Sequence, residues 1–137
     1  MKVLIIDDDQ ALAMTWSIAL EKAGFEVIKA ITGQEGIDKA KSFMPDMILL
    51  DQIMPDRVGN EVLETLKSDT QTTAIPVLLI SNYSESKMMS DAIQAGAVDY
   101  ILKYQIETAD LVAKVKGVLE NKNDKNAPTT PPATSSS

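Results

Sequence analysis

Short, continuously apolar runs alternate along this chain with stretches in which apolar residues recur every three or four positions. Residues 3–6, 27–29, 47–50, 77–80 and 100–102 have strand length. Several are apolar at every position, as strands are when both faces of their sheet are covered. Between them the period changes. Leu12, Trp16, Ala19, Leu20 and Ala23 form one helical stripe, closed by Gly24, because glycine readily takes the left-handed conformation that ends a helix. Thr32, with Glu35 three residues on, is a capping-box pattern that opens a second helix. Three further stripes run through Val62, Leu63 and Leu66; through Met88, Met89, Ala92 and Ile93 to Gly96; and through Leu111, Val115, Val118 and Leu119. All are expected to face the core.

Five strand–helix repeats imply parallel strands joined by right-handed crossovers. The expected fold is α/β, a doubly wound five-stranded parallel sheet with helices on both faces. In such sheets the ligand site lies beyond the carboxyl ends of the strands. The residues found there are Asp7-Asp8-Asp9, Asp51, Ser81-Asn82 and Lys103. One domain is expected over residues 1–120. Residues 121–137 are Asn, Lys, Thr, Pro and Ser-rich without apolar periodicity, and read as a disordered tail.

Composition narrows the chemistry. The chain has no Cys and no His, which removes disulfides, thiolate and imidazole nucleophile systems, and the usual zinc sites. Any metal must sit on oxygen ligands, which points to Mg²⁺, Mn²⁺ or Ca²⁺. A net charge of -7 argues against a nucleic-acid partner, which needs clustered Lys and Arg. The apolar runs are far shorter than the ~20 residues of a spanning helix. Residues 1–6 run straight into acids, so neither a membrane segment nor a secretory leader is expected. The absence of Cys fits a cytoplasmic protein.

Carboxylates converging from two strand ends repel unless a cation joins them or one is protonated. Asp7, Asp8 and Asp51 make a hard oxygen site suited to Mg²⁺, with Mn²⁺ as an alternative. A carboxylate can also accept a phosphoryl group. That transfer needs the charge on three equatorial oxygens neutralised: the cation takes one side, Lys103 another, and the Ser81 hydroxyl a third. Taken singly, Asp7-Asp8-Asp9 reads as a solvated turn or helix cap, Lys103 as a surface lysine and Ser81 as a turn residue. Their joint placement at strand ends carries the argument.

Four segments occur in order: Leu4-Ile5-Ile6-Asp7-Asp8-Asp9, Leu49-Leu50-Asp51-Gln52-Ile53-Met54-Pro55, Leu78-Leu79-Ile80-Ser81-Asn82 and Asp99-Tyr100-Ile101-Leu102-Lys103. Over about residues 1–120 this set resembles the motifs of response-regulator receiver domains. The resemblance implies a flavodoxin-like fold with strand order 2-1-3-4-5. It implies Asp51 as phospho-acceptor, and Asp7, Asp8, Asp51 and the backbone carbonyl of Ile53 as Mg²⁺ ligands. Lys103 would pair with the phosphoryl group. Ser81 and Tyr100 would be the switch pair, the hydroxyl moving to the phosphoryl group and the ring following inward. The implied function is a phosphorelay switch and not an enzyme acting on other molecules. A histidine kinase or phosphotransfer protein would be the donor, a downstream protein the target, and the state monomer or phosphorylation-dependent dimer. The chain would be a stand-alone regulator or the receiver piece of a longer one.

Three residues depart from the family pattern. Tyr104 follows the lysine where a cis proline is usual, so a trans bond and a reshaped loop are expected. Val58-Gly59 replaces Asp-Gly and removes a helix cap, for which Asp56 or Asn60 could substitute. Asn82 stands where a small residue is common and would narrow donor access. The resemblance also places Ile53 and Tyr83 at the two positions that would influence water attack on the phosphoryl group. Two other readings stay open: a degenerate receiver acting as a constitutive binding module, and a phosphatase of the haloacid-dehalogenase kind. The latter rests on the Asp-x-Asp spacing of Asp7-Asp8-Asp9, against Ala11 where Thr or Val is usual and too little length for a cap domain.

Overall fold

In the computed structural model, residues 1–123 are described. The alternation of elements is β1 (Lys2–Ile6), α1 (Gln10–Lys22), β2 (Glu26–Ala30), α2 (Gly33–Phe43), β3 (Met47–Asp51), α3 (Gly59–Ser68), β4 (Val77–Ser81), α4 (Ser86–Gln94), β5 (Asp99–Leu102) and α5 (Thr108–Asn123). The strands form one parallel sheet in the order β2-β1-β3-β4-β5. This is the doubly wound architecture expected from the repeats, in the flavodoxin-like strand order that the resemblance implies. Strand ends differ from expectation by a residue or two. The last helix continues three residues past Glu120, into the start of the expected tail; residues 124–137 lie outside the described part.

The continuous apolar runs have a simple cause. A strand's side chains alternate between faces, and here both faces are covered. Val3, Ile5, Met47, Leu49, Leu78 and Ile80 face one layer, where they pack with Trp16 and Leu20 of α1 and Leu111, Val115 and Leu119 of α5. Leu4, Ile6, Ile48, Leu50, Val77 and Leu79 face the other, with Ile37 of α2, Val62, Leu63 and Leu66 of α3, and Ala92 of α4. The central strands β3 and β4 are buried at every position, whereas the edge strand β2 is only partly so.

Helix ends follow the sequence signals. Gly24 and Gly96, at φ +101° and +111°, close α1 and α4 in a conformation that costs glycine little. Thr32 accepts the N–H of Glu35 at 3.0 Å, and Glu35 reaches back past the cap to the N–H of Ile31 at 2.8 Å, a variant of the expected capping box. The α4 stripe is a correction. Of its four residues only Ala92 is buried, Met88 and Met89 are half-buried, and Ile93 is exposed. This short helix reaches the core on one narrow face.

Candidate functional site

Register builds the floor of the site. Ile6 pairs with Leu50, and Asp51 pairs with Ile80, so Asp7 continues β1 alongside Asp51. Side-chain alternation then orients them: Asp7, Asp51 and Lys103 each lie two residues beyond Ile5, Leu49 and Ile101, which all face the α1/α5 layer. Three charged groups therefore cap one core layer at the carboxyl edge of the sheet, and all three are buried. Ser81 and Tyr100 belong to the opposite layer, with Leu79.

Burial forces the charges to pair. Lys103 Nζ donates to Asp7 Oδ1 at 3.0 Å and to Asp51 Oδ2 at 3.2 Å. Burial alone would lower the Lys103 ammonium, but Asp7 and Asp51 outweigh it and hold it above its usual value. One lysine cannot neutralise two acids. Burial and the neighbouring charge of Asp7 push the Asp51 carboxyl up to about 7, against the pull of Lys103. Exposed Asp8 completes the cluster: carboxylate oxygens of Asp7, Asp8 and Asp51 all lie within 4.8 Å of one another. Asp7 Oδ1 also accepts the N–H of Asp9 at 2.8 Å, while Oδ2 is buried with no partner among the described residues. An oxygen-only cluster with an orphaned carboxylate oxygen fits a hard divalent cation.

The switch residues are joined through the backbone of a single residue, Tyr83. Ser81 Oγ accepts the N–H of Tyr83 at 2.9 Å, which leaves its own proton free to donate. The Tyr100 hydroxyl donates to the carbonyl of the same Tyr83 at 2.8 Å. The Tyr100 ring is buried, so in this structure it already lies inward. Ile53 follows Asp51 by two residues, in a loop held by an antiparallel bridge to Val58.

Asp8, Asp9, Asp51, Ile53, Asn82, Tyr83, Lys103 and Tyr104 line a cleft of about 310 Å³. Three large side chains stand exposed on its rim: Ile53, Tyr83 and Tyr104 are 46%, 49% and 67% accessible. The Lys103–Tyr104 bond is trans, as expected without proline. The Tyr104 hydroxyl donates to Asp9, whose other oxygen caps α1 by accepting the N–H of Leu12 at 3.2 Å. Tyr104 and then the Leu12 N–H hold the Asp9 carboxyl below its usual value. The sequence gives no signal for this strap, because it links loops 95 residues apart.

The expected replacement cap for α3 is not found. Val58 occupies the N-cap position without a side-chain bond, and the Oδ1 of Asn60 has no partner among the described residues. Asp56 caps a different helix, α2, by accepting from Gly33 and Gln34. Its reach of 23 residues in sequence is why local reasoning places it wrongly. Gln52 was not singled out by the sequence either, yet it is buried beside Asp51.

An acid cluster and a lysine at the carboxyl edge of a five-stranded doubly wound sheet define a class of signalling domain. The family model "Response regulator receiver domain" matches residues 3–116, and the chain belongs to that family. It is 35% identical over 118 residues to the DNA-binding dual master transcriptional regulator RpaA of Synechocystis, covering 86% of this chain and 48% of that protein. It is 34% identical over 128 residues to the phosphate regulon transcriptional regulatory protein PhoB of Pseudomonas aeruginosa, covering 92% and 56%. The chain thus spans about half the length of these relatives. Among solved structures, a CheY-like response regulator receiver domain protein from Methanospirillum hungatei superimposes with a TM-score of 0.83 at 29% identity, covering 89% of this chain and 95% of that one. Among the described residues no helix is long and apolar enough to cross a membrane.

Proposed function

We propose that this chain is a phosphorylation-dependent switch that accepts a phosphoryl group on Asp51 from a histidine kinase or phosphotransfer protein in the cytoplasm, and passes the signal to a protein target. The observation that carries the reading is Lys103 Nζ lying between Asp7 and Asp51 at 3.0 and 3.2 Å. In the transfer, an Asp51 carboxylate oxygen bonds to phosphorus as the donor's N–P bond breaks, and the departing imidazole takes its proton from solvent. Asp7, Asp8, Asp51 and the Ile53 carbonyl would hold Mg²⁺, or Mn²⁺ in its place. When bound, that cation offsets charge on the acids and on the incoming phosphoryl oxygens. Lys103 would pair with another of those oxygens, and the Ser81 hydroxyl would donate to a third. Tyr83, gripped by both Ser81 and Tyr100, is the route by which a moved hydroxyl alters the exposed face. The chain catalyses its own modification and no reaction on other molecules.

Intact-mass measurement after acetyl phosphate tests this. The wild type should gain one phosphoryl group only with Mg²⁺, and Asp51→Asn should gain none. Labelling that persists in Asp51→Asn and maps to Asp7 would replace this reading with the phosphatase-like one.

A further inference from the structure

The loop that follows Asp51 is anchored unusually. In place of an acid that would cap α3, it presents Val58, which makes no side-chain cap bond. The segment from Ile53 to Val58 is a closed turn: the bridge between those two residues defines its base, and Met54 N–H donates to the Arg57 carbonyl at 3.2 Å inside it. Met54 is buried in the core. The Ile53 side chain is half exposed, so its carbonyl is placed by the turn and not by side-chain packing.

The tip of that turn is fastened to α2. Asp56 Oδ1 accepts the N–H of Gly33 at 2.8 Å, and Oδ2 accepts that of Gln34 at 3.0 Å. Both oxygens are engaged, which fixes the carboxylate's orientation, and the positive end of the helix dipole favours it there. Arg57 adds a bond to Gln34 Oε1 at 3.0 Å. A Cβ at position 33 would meet the Arg57 side chain at 2.6 Å, so glycine there permits the loop to lie against the helix. Thr32 serves the next two N–H groups of α2, those of Glu35 and Gly36, each at 3.0 Å. The first turn of α2 is therefore fully capped, half by its own sequence and half by the loop.

We infer that Asp56 is a positioning residue for the cation site: by capping α2 from the β3–α3 loop, it holds the Ile53 carbonyl in place as a ligand. The inference rests on the proposed reading of Asp7, Asp8, Asp51 and Ile53 as the metal site. It makes α2, which supplies none of the proposed ligands, sensitive to cation binding.

Mg²⁺ titration of the full chain, followed by backbone amide resonances, measures the affinity directly. Asp56→Ala should raise the Kd for Mg²⁺ about tenfold, the scale seen when residues supporting metal ligands are removed. Asp56→Asn retains an acceptor oxygen and should stay within about threefold of wild type. Thr32→Ala removes the side-chain bond to the Glu35 N–H of the same helix turn and should lower the melting temperature while leaving the Kd unchanged. An unchanged Kd in Asp56→Ala, or an equal rise in Thr32→Ala, would overturn the positioning role and leave the metal site standing. No Mg²⁺ binding by the wild type would overturn the metal site, and this inference with it.

Discussion

The floor and the rim of the cleft are built by different rules. Asp7, Asp51, Lys103 and Ser81 sit at or one residue beyond strand ends and are almost fully buried, whereas Ile53, Tyr83 and Tyr104 stand on loops and are about half exposed or more. The floor is set by sheet register and by charges that burial compels to pair. The rim is set by loop conformation and presents the large side chains of Ile53, Tyr83 and Tyr104 to whatever approaches. On the proposed reading, the floor determines whether phosphoryl transfer happens, and the rim determines how long its product lasts.

The largest expected effect separates the two regions. Lys103→Met keeps the stem of the side chain but removes the only cation on the floor among the described residues. It should slow phosphorylation of Asp51 by acetyl phosphate about a hundredfold, comparable to losing one preorganised charge-stabilising donor. A rate within threefold of wild type would show that Lys103 only balances the resting acids. A rim change should be smaller and act on the opposite step. Ile53→Asn combined with Tyr83→Glu supplies polar groups that orient water. It should shorten the phosphoprotein lifetime about tenfold, or ~1.4 kcal/mol in barrier. Decay of purified phosphoprotein in Mg²⁺ without partner measures this. Equal decay in wild type and double variant would mean the rim does not set the lifetime.

The smallest effect concerns the resting floor. Asp51 has its carboxyl pushed up to about 7 by burial and Asp7, well above its value in an unfolded chain. Between about pH 4 and 7 the folded state therefore binds more protons than the unfolded one, so stability falls as pH rises through this window. Without Mg²⁺, Asp51→Asn should melt about 5 °C above wild type at pH 8, corresponding to roughly 1 kcal/mol. The gap should close near pH 4. Thermal denaturation across that range, with chelator present, checks it. A gap independent of pH would assign the gain to something other than relieved charge.

Much of this was legible in the sequence. Continuous apolar runs such as 47–50 announce strands covered on both faces, and the strand-end rule then brings Asp7, Asp51 and Lys103 together without further knowledge. Tertiary contacts between loops were not legible. Asp56 is a plausible cap for the helix that follows it, yet it serves the helix before, because a carboxylate bonds whichever N–H groups the folded chain brings near. The Tyr104–Asp9 strap is hidden for the same reason. The α4 stripe misled because apolar periodicity reports what could be buried, and a nine-residue helix over the sheet buries only the middle of its face.

The period-two alternation that places Asp7, Asp51 and Lys103 over one layer also restricts how this chain can change length. A residue inserted within 47–50 would turn Asp51 toward the opposite layer and present an aliphatic side chain to Lys103, since one residue of slip exchanges the faces of a strand. Residues inserted at the other edge of the sheet, in the turns around Gly24 or Pro45, would leave every site residue on its face. Insertions and deletions in homologous chains should therefore gather at the amino-terminal edge of the strands, and the carboxyl edge should keep its residue count while its side chains vary.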